Sequence, residues 1–291
     1  MLKVANIKVR SFSIEYLDLT WEIENTTEDI QEYSFYVERS EAEAGPWQSI
    51  AGPLIDKYFL RDNDTPQISL NRVLFYRLKI VHTPSGEFSY SEIVDRDGPP
   101  TLMVQEIIRL ENILFSEFVG VKCWLFPIRT FGQRCPSCYD DVMGKRVMDS
   151  CRTCWGTGFS GGYHYPIEIW AQIDNPDKAE EVTLEDHKQA YNYGLRTGPS
   201  PDIKPFDLIV DAFNRRMRVI YVGGTTRANV GVRLEIKAVA VQRGSIEDQI
   251  PLKVNHNTIN LVPERNFQNA QTLTDSEINK LADVLGPYKV Y

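Results

Sequence analysis

Four of the five cysteines in the chain fall in two closely spaced pairs. Cys135 and Cys138 form the first Cys-x-x-Cys pair, and twelve residues later Cys151 and Cys154 form the second. Two residues between cysteines let both sulfurs of a pair point into one tight turn. Two such turns facing each other place four thiolates at the corners of a tetrahedron, the geometry that zinc accepts. The spacing therefore predicts one zinc ion held by these four side chains.

A redox-active pair and two structural disulfides are the alternatives to zinc. No sign of a thioredoxin-like unit surrounds the pairs, which disfavours a redox motif. The N-terminus, Met1-Leu2-Lys3-Val4, carries no apolar signal core, so secretion into a disulfide-forming environment is not indicated. Four thiolates also leave no coordination position for water or substrate, so we expect a structural rather than a catalytic ion.

The residues around the pairs fit a charged and sterically crowded site. Zinc with four thiolates carries a formal charge of about −2. We expect nearby basic side chains to neutralise it before any nucleic acid is invoked: Arg134, Lys145, Arg146 and Arg152. Gly156 and Gly158 are expected to take backbone conformations that other residues avoid, where the chain leaves the second turn.

The pattern Cys151-x-x-Cys154-x-Gly156-x-Gly158 resembles the repeat of the zinc domain of DnaJ-type chaperones. That domain uses several such repeats, whereas this chain has one repeat and one plain pair. The resemblance covers this short stretch only. It implies zinc ligation and nothing about chaperoning.

The charge of the chain is unevenly distributed. The 291 residues carry a formal net charge of −8, of which residues 1–98 contribute −7 and the remainder −1. An acidic first module disfavours sequence-specific binding of nucleic acid, and no apolar run approaches a membrane span. The fifth cysteine, Cys123, lies in an apolar run and is predicted to be a small buried hydrophobe. An odd cysteine count fits a reducing compartment.

Residues 1–98 read as short strands separated by turns. Apolar residues alternate over 17–23 and 74–81, and further β-rich runs cover 33–40 and 88–94. Strands at this regular interval predict an antiparallel sandwich.

This first third of the chain resembles a fibronectin type III domain. Trp21 matches the core tryptophan of the second strand, Tyr36 lies in the third, and Tyr76 occupies the tyrosine-corner position. The resemblance implies a spacer or binding module without catalysis. The aromatic side chains are therefore expected to pack in its core.

Residues 99–120 are predicted to form a linker helix. Thr101 can cap it, apolar residues recur at helical spacing up to Phe118, and Gly120 suits its end. The apolar stripe is broad, so we expect the helix to be buried between two bodies or covered by a neighbouring subunit.

Residues 121–255 predict a small antiparallel β-barrel with a zinc hairpin inserted at about 131–163. Turns are expected at 223–224 and 228–231, and a long loop over 191–201. Strands are expected at 121–126, 166–173, 206–210, 217–222 and 232–241.

Other polar residues of this half are not expected to form a catalytic site. Arg215, Arg216 and Arg218 flank one strand and are expected at a solvated or subunit-facing edge. His164 and His187 lack partners at motif spacing and are expected at the surface or in turns.

The order of features in this half resembles neck, head-completion or tail-adaptor proteins of tailed bacteriophages. A strand leads into Phe131-Gly132-x-Arg134-Cys135, and an apolar run at 206–210 precedes an arginine-bearing strand. The resemblance implies a β-barrel in a homo-oligomeric ring with a segment stapled by zinc. It also implies a non-enzymatic virion protein that is assembled in the host cytoplasm, with portal, connector or tail proteins as partners. No catalytic residues come with it.

Residues 256–291 form a predicted extension with one short helix. Thr274 and Glu277 make a capping box, and Ile278, Leu281 and Leu285 share one face. So short a helix is not stable alone. It should dock on its own body or, as we favour, on a neighbouring subunit.

The sequence thus predicts a mainly β protein of four parts: a sandwich (1–98), a linker helix (99–120), a barrel (121–255) and an extension (256–291). The alternative function is a soluble binding module. In that case the fibronectin-like part would recognise carbohydrate or peptide, and the zinc hairpin would contact protein or nucleic acid.

Overall fold

Antiparallel strands are the main regular structure in the part of the chain that the structure describes. The prediction of a mainly β protein is confirmed. The structure is a computed structural model that describes residues 2–13, 15–63, 73–96, 98, 100–140, 142–148, 151–174, 177–178, 191–250, 252–255 and 258–261.

The N-terminal part consists of two antiparallel sheets that share one core. One sheet has the strand order β1-β2-β5 and the other β4-β3-β6-β7, with β8 also paired to β6. A 3₁₀ turn, Ile30–Glu32, leads into β3. The strands are β1 (Val4–Arg10), β2 (Leu17–Ile23), β3 (Tyr33–Ser40), β4 (Gln48–Leu54), β5 (Phe59–Asp62), β6 (Phe75–His82), β7 (Phe88–Tyr90) and β8 (Val94–Asp95). Two facing sheets of this kind form a sandwich, the architecture that immunoglobulin and fibronectin type III domains share.

Aromatic side chains fill the sandwich core. The rings of Trp21 and Phe35, one from each sheet, lie 6.2 Å apart, and both side chains are buried. Tyr76 is also buried, and its hydroxyl donates a hydrogen bond to Asp62 at 3.0 Å. Core positions for Trp21 and Tyr76 are thereby confirmed. Tyr36, in contrast, is only half-buried, because it lies on the opposite face of β3 from Phe35.

Helix α1 (Leu102–Ile113) and a π-helical turn, Leu114–Val119, connect the sandwich to the second part. The inner face of α1 packs Val104 and Ile108 against Val232. The turn ends at Gly120, whose N–H donates to the Phe115 carbonyl at 3.0 Å. A Cβ at Gly120 would lie 2.2 Å from that oxygen, so only glycine fits. The helix is buried on one face alone, whereas the sequence predicted burial of a broad stripe.

Six antiparallel strands of the second part close on themselves. The pairing order is β9-β15-β16-β17-β14-β12, and β12 pairs again with β9. The strands are β9 (Val121–Phe126), β12 (Ile167–Ile173), β14 (Tyr191–Thr197), β15 (Leu208–Asp211), β16 (Arg216–Arg227) and β17 (Val230–Ala240). Short pieces β10 (Tyr139–Asp140), β11 (Lys145–Arg146) and β13 (Asp177–Lys178) complete this part. The ring of strands encloses an apolar core that includes Leu125, Ile169, Leu195, Ile209, Met217 and Ile236.

Two local predictions in this part are wrong. Residues 191–197, predicted as loop, form β14, which pairs with both β12 and β17. Gly223 and Gly224, predicted as a turn, lie inside β16 opposite Glu235 and Leu234. A Cβ at Gly224 would lie 2.7 Å from the carbonyl oxygen of Arg233, so glycine serves a close approach of strands there. The other predicted turn, at 228–231, is present at Ala228 and Asn229, both with positive φ.

Charged contacts tie the sandwich to the barrel. Arg61 makes a bidentate pair with Asp18 at 2.8 and 2.9 Å, and Ser200 from the barrel side donates to the same carboxylate. Arg10 binds Asp202 at 2.7 Å. Residues 1–250 accordingly form one compact unit.

The second unit begins at Pro251. It contains a hairpin of β18 (Leu252–Asn255) and β19 (Thr258–Leu261), which spans the predicted boundary after residue 255. The predicted helix at 274–285 lies outside the described residues. Within the described chain, no helix has the length and apolar character needed to cross a membrane.

The buried position of Cys123 gives a stability prediction. Its side chain is fully buried in the barrel core, and burial raises the pKa of its thiol to about 12. Cys123→Ala should lower the free energy of unfolding by about 1 kcal/mol, and Cys123→Ser by about 2 kcal/mol or more, because serine buries a hydroxyl. Urea unfolding measures both effects. Metal analysis is the control. A loss of bound metal in either variant would contradict the assignment of Cys123 as a core residue that is not a metal ligand.

Candidate metal centre

The structure brings the four paired cysteines together. Their sulfur atoms all lie within 4.8 Å of one another. Each side chain is buried, with exposed fractions of 1%, 6%, 6% and 0% for Cys135, Cys138, Cys151 and Cys154. The cluster could hold a metal ion, and it is the only such group among the described residues.

Tight turns on both sides of the cluster aim the sulfurs inward. In the first turn the Tyr139 N–H donates to the Cys135 carbonyl at 3.1 Å, and in the second the Thr157 N–H donates to the Cys154 carbonyl at 2.9 Å. The Cys135 N–H donates to the Gly158 carbonyl at 3.0 Å and fastens one turn to the other. Gly156 and Gly158 have φ of 80° and 85°, as their glycine character predicts.

The distances between sulfurs fit a bound ion better than disulfides. Sγ of Cys135 lies 3.8 Å from Sγ of Cys151, and Sγ of Cys138 lies 3.2 Å from Sγ of Cys154. A disulfide requires about 2.05 Å, and all five cysteines are free. Four sulfurs at about 2.3 Å from one tetrahedral ion would be about 3.8 Å apart.

The protein environment shifts the pKa values of Cys135, Cys138 and Cys151 in different directions. Burial raises the pKa of Cys135 and of Cys138. Burial also acts to raise the pKa of Cys151, but hydrogen bonds from the backbone N–H groups of Cys154 and Thr153 outweigh it and lower the pKa to about 7. Metal ligation requires thiolates. The second turn therefore favours a thiolate at Cys151 near neutral pH.

Basic residues near the cluster are only partly placed as the sequence suggested. The Arg134 guanidinium lies 4.4 Å from the Tyr139 ring centroid and 4.7 Å from that of Phe159. It therefore packs against aromatic rings beside the first turn. Lys145, Arg146 and Arg152 are exposed. Neutralisation of the cluster by these residues remains a prediction.

The four-cysteine hairpin contacts the sandwich through its backbone. The Thr26 N–H donates to the Gly132 carbonyl at 3.1 Å, and the Arg134 N–H donates to the Thr26 carbonyl at 3.4 Å. Gly132 is buried with φ of 108°, and a Cβ there would lie 2.9 Å from Ile30. The hairpin is therefore seated against the sandwich rather than held only by the barrel.

A buried cluster of residues, which we call the junction, lies beside this contact and consists of Asp56, Tyr58, Arg129, Phe131 and His164. Tyr58 packs edge-on against Phe131 with centroids 4.9 Å apart. Arg129 donates to the Asp56 carboxylate and to the Tyr163 carbonyl. The junction thus joins β4–β5 of the sandwich to both ends of the hairpin. A cleft of about 450 Å³ opens beside it.

His164 lies inside the junction, and its predicted surface position is wrong. Its ring centroid lies 4.5 Å from that of Phe131, in a tilted arrangement, and 4.9 Å from that of Tyr58, in an edge-on arrangement, and the residue is 8% exposed. Neither ring nitrogen has a hydrogen-bond partner among the described residues. Burial lowers the pKa of His164 well below its usual value, and the charges of Arg129 and Lys204 lower it further.

Other polar residues named from the sequence have structural contacts. Arg216 donates to the carbonyls of Glu247 and Asp248, both at 2.8 Å, and Arg218 donates to the Glu247 carboxylate at 2.7 Å. They bind residues 247–248 to β16, while the Arg218 side chain stays 44% exposed. Arg215 pairs with Asp211. His187 lies outside the described residues.

Sequence reasoning missed the junction because nothing local marks it. Asp56 and Arg129 are 73 positions apart and pair only after the sandwich and barrel meet. One signal in the sequence could have indicated it. Arg129 and His164 flank the predicted hairpin insertion, where the chain leaves the barrel and returns to it.

The burial of His164 predicts a stability loss in acid. Because its pKa is lowered, His164 stays neutral in the folded protein. In the unfolded chain the same side chain takes up a proton near pH 6.5. Stability should therefore fall as pH drops through that value. Between pH 7.5 and 5.5 the wild type should lose about 1.4 kcal/mol more of its unfolding free energy than His164→Phe.

Urea titrations at several pH values measure this difference. His82→Phe, at a partly exposed site that hydrogen-bonds Ser85, is the matched control, and it should keep the wild-type pH dependence because His164 is still present. If the unfolding free energy changed with pH to the same extent in wild type and H164F, the junction would not bury a titrating histidine.

Comparison with known proteins leaves the chain without an assigned family. No protein-family model matches it, and no curated protein matches it. Its function therefore has to be inferred from the residues and geometry described above.

Proposed function

We propose that the chain is a non-enzymatic structural protein of a tailed-bacteriophage particle, present in several copies in a ring at the neck or tail. In this proposal one zinc ion, held by Cys135, Cys138, Cys151 and Cys154, stabilises each copy. Its partners are portal, connector or tail proteins, and it is assembled into the virion in the host cytoplasm.

The closed four-cysteine cluster is the observation that carries this proposal. Four sulfurs fill a tetrahedral shell, so a bound ion has no position for water or substrate. The ion would therefore cross-link the two turns and do no chemistry on a substrate. Zinc suits such a site because it is commonly bound by four thiolates and has no redox activity.

Exposed apolar surfaces favour assembly as the role of this rigid unit. Four apolar side chains are exposed on the hairpin between the cysteine pairs, and others are exposed on the outer face of α1. Contiguous apolar patches of this kind are typical of protein interfaces. The particular assembly, a virion ring, is inferred from the resemblance to phage neck and tail-adaptor proteins.

The alternative is a soluble binding module in which the sandwich recognises carbohydrate or peptide. The junction cleft, with its aromatic walls, is the observation that favours it. Binding of nucleic acid by the hairpin is disfavoured by the acidic balance of the chain and by the mixed charge around the four cysteines. A salt-dependent mobility shift with DNA would revive that form of the alternative.

Native mass spectrometry of the purified chain tests both metal and assembly. We expect one zinc per chain in a ring-sized oligomer. No zinc, together with oxidised cysteine pairs, would overturn the metal assignment. A zinc-loaded strict monomer would favour the binding module over the ring.

Chelation should unfold the hairpin selectively. Metal binding in small zinc modules is worth on the order of 10 kcal/mol of folding free energy. With the ion removed, amide hydrogen exchange should become fast across residues 131–163, while β3 and β6 in the sandwich core stay protected. Chelator already saturated with zinc is the control. Unchanged protection across 131–163 would remove the zinc assignment.

A further inference from the structure

The tip of the four-cysteine hairpin is unusually apolar for a surface turn. Val142, Met143, Val147 and Met148, which we call the hairpin tip, have exposed fractions of 97%, 65%, 70% and 53%. Tight surface turns are normally built from polar residues and glycine. Val142 and Met143 lie in the turn that joins β10 to β11, and Val147 and Met148 follow β11 directly. Four apolar side chains that are so exposed and so close in the chain indicate a surface that a partner covers.

The backbone of the hairpin tip is fixed by its own hydrogen bonds. The Asp140 carboxylate accepts from the N–H groups of Val142 and Met143 at 2.8 and 3.2 Å, and the Val147 N–H donates to the Cys138 carbonyl at 2.8 Å. Cys138 in turn belongs to the metal cluster. A tip held in shape in advance loses little conformational entropy when it binds.

A second apolar surface lies on the same compact unit. Its members are on the face of α1 and the π-helical turn that does not pack on the barrel, and we call it the outer helix face. They are Leu102, Met103, Leu110, Leu114 and Phe118, with exposed fractions of 66%, 76%, 53%, 41% and 77%. Because the inner face is fixed against Val232, this surface is also presented on a rigid support.

We propose that the hairpin tip of one copy packs on the outer helix face of a second copy. Both surfaces belong to the unit of residues 1–250 and both are exposed there, so they do not cover each other within one chain. Charge is complementary as well, since exposed Lys145 stands beside the tip and exposed Glu117 beside Phe118.

Such a contact is head-to-tail, and each copy uses two different surfaces. A heterologous contact leaves one tip and one helix face free in every open chain of subunits, and both are filled only when a ring closes. This inference rests on the proposed ring and identifies the surfaces that would build it.

Two single substitutions test the contact in the full-length, zinc-loaded chain. Met143→Asp places a charge on the tip, and Phe118→Asp places one on the helix face. Each variant alone should be monomeric by analytical ultracentrifugation. An equimolar mixture should form a one-to-one dimer, because each variant still has one intact surface and the two intact surfaces are complementary.

Charge reversal provides a second, milder pair of variants. Lys145→Glu and Glu117→Lys should each weaken assembly at least tenfold at low salt, and mixing them should restore it partly. Phe213→Asp is the matched control, since Phe213 is 70% exposed but lies on neither surface. It should assemble as the wild type does. Zinc content confirms that each variant is folded at the hairpin.

The outcomes separate this contact from the proposed function. A wild-type ring that survives Met143→Asp, Phe118→Asp and both charge reversals would overturn the contact and leave the ring standing. A ring lost only in Leu281→Asp would identify the C-terminal extension as the occupant of a subunit surface and overturn the contact too. A zinc-loaded wild type that stays monomeric would overturn the ring itself.

Discussion

The four cysteine side chains lie at the centre of the hairpin, whose other large buried side chains are Trp155 and Phe159. The cluster of buried residues there consists of the four cysteines, with Tyr139 packed against it. Residues 142–148 are all exposed. Two large aromatic side chains and four cysteines are a small interior for a segment of this length, so apolar burial offsets little of the conformational entropy that the segment loses on folding. An ion bound among the sulfurs would cross-link the two turns and supply the constraint that the small interior lacks, and the surfaces that the hairpin presents would then depend on that ion.

The effect of that constraint extends from the sulfurs to the sandwich through a short series of contacts. The Cys135 N–H is bonded to the Gly158 carbonyl, and the neighbouring Arg134 N–H and Gly132 carbonyl bond to Thr26. One residue earlier, Phe131 packs against Tyr58 and His164. Because these contacts are consecutive along the chain, a rigid hairpin also fixes the position of the sandwich relative to the barrel. The sandwich is thereby integrated into one unit rather than suspended on a linker.

Features set by neighbouring residues could be predicted from the sequence, and features set by distant pairing could not. The cysteine spacing, the alternation in β2 and the glycines after Cys154 all act within a few residues. Strand β14 was missed because Asn192 and Gly194 are turn formers, and only pairing with β12 and β17 makes them a strand. His164 was misplaced for the same reason, since the two rings that bury it come from positions 58 and 131. Polar residues are assigned correctly from sequence only when their partners are near in the chain.

The low exposure of the sulfurs favours a structural over a redox role. Thiol–disulfide exchange requires a thiolate that another molecule can reach, and none of the four side chains is more than 6% exposed. The lowered pKa of Cys151 could be taken as a sign of a reactive thiol. Within a closed set of four sulfurs, however, the same backbone N–H groups stabilise the charge that a metal ligand must carry. A thiolate that is stabilised and also shielded favours holding an ion over attacking a substrate, so other molecules would meet the exposed side chains around the cluster, the apolar tip among them, and not the sulfurs.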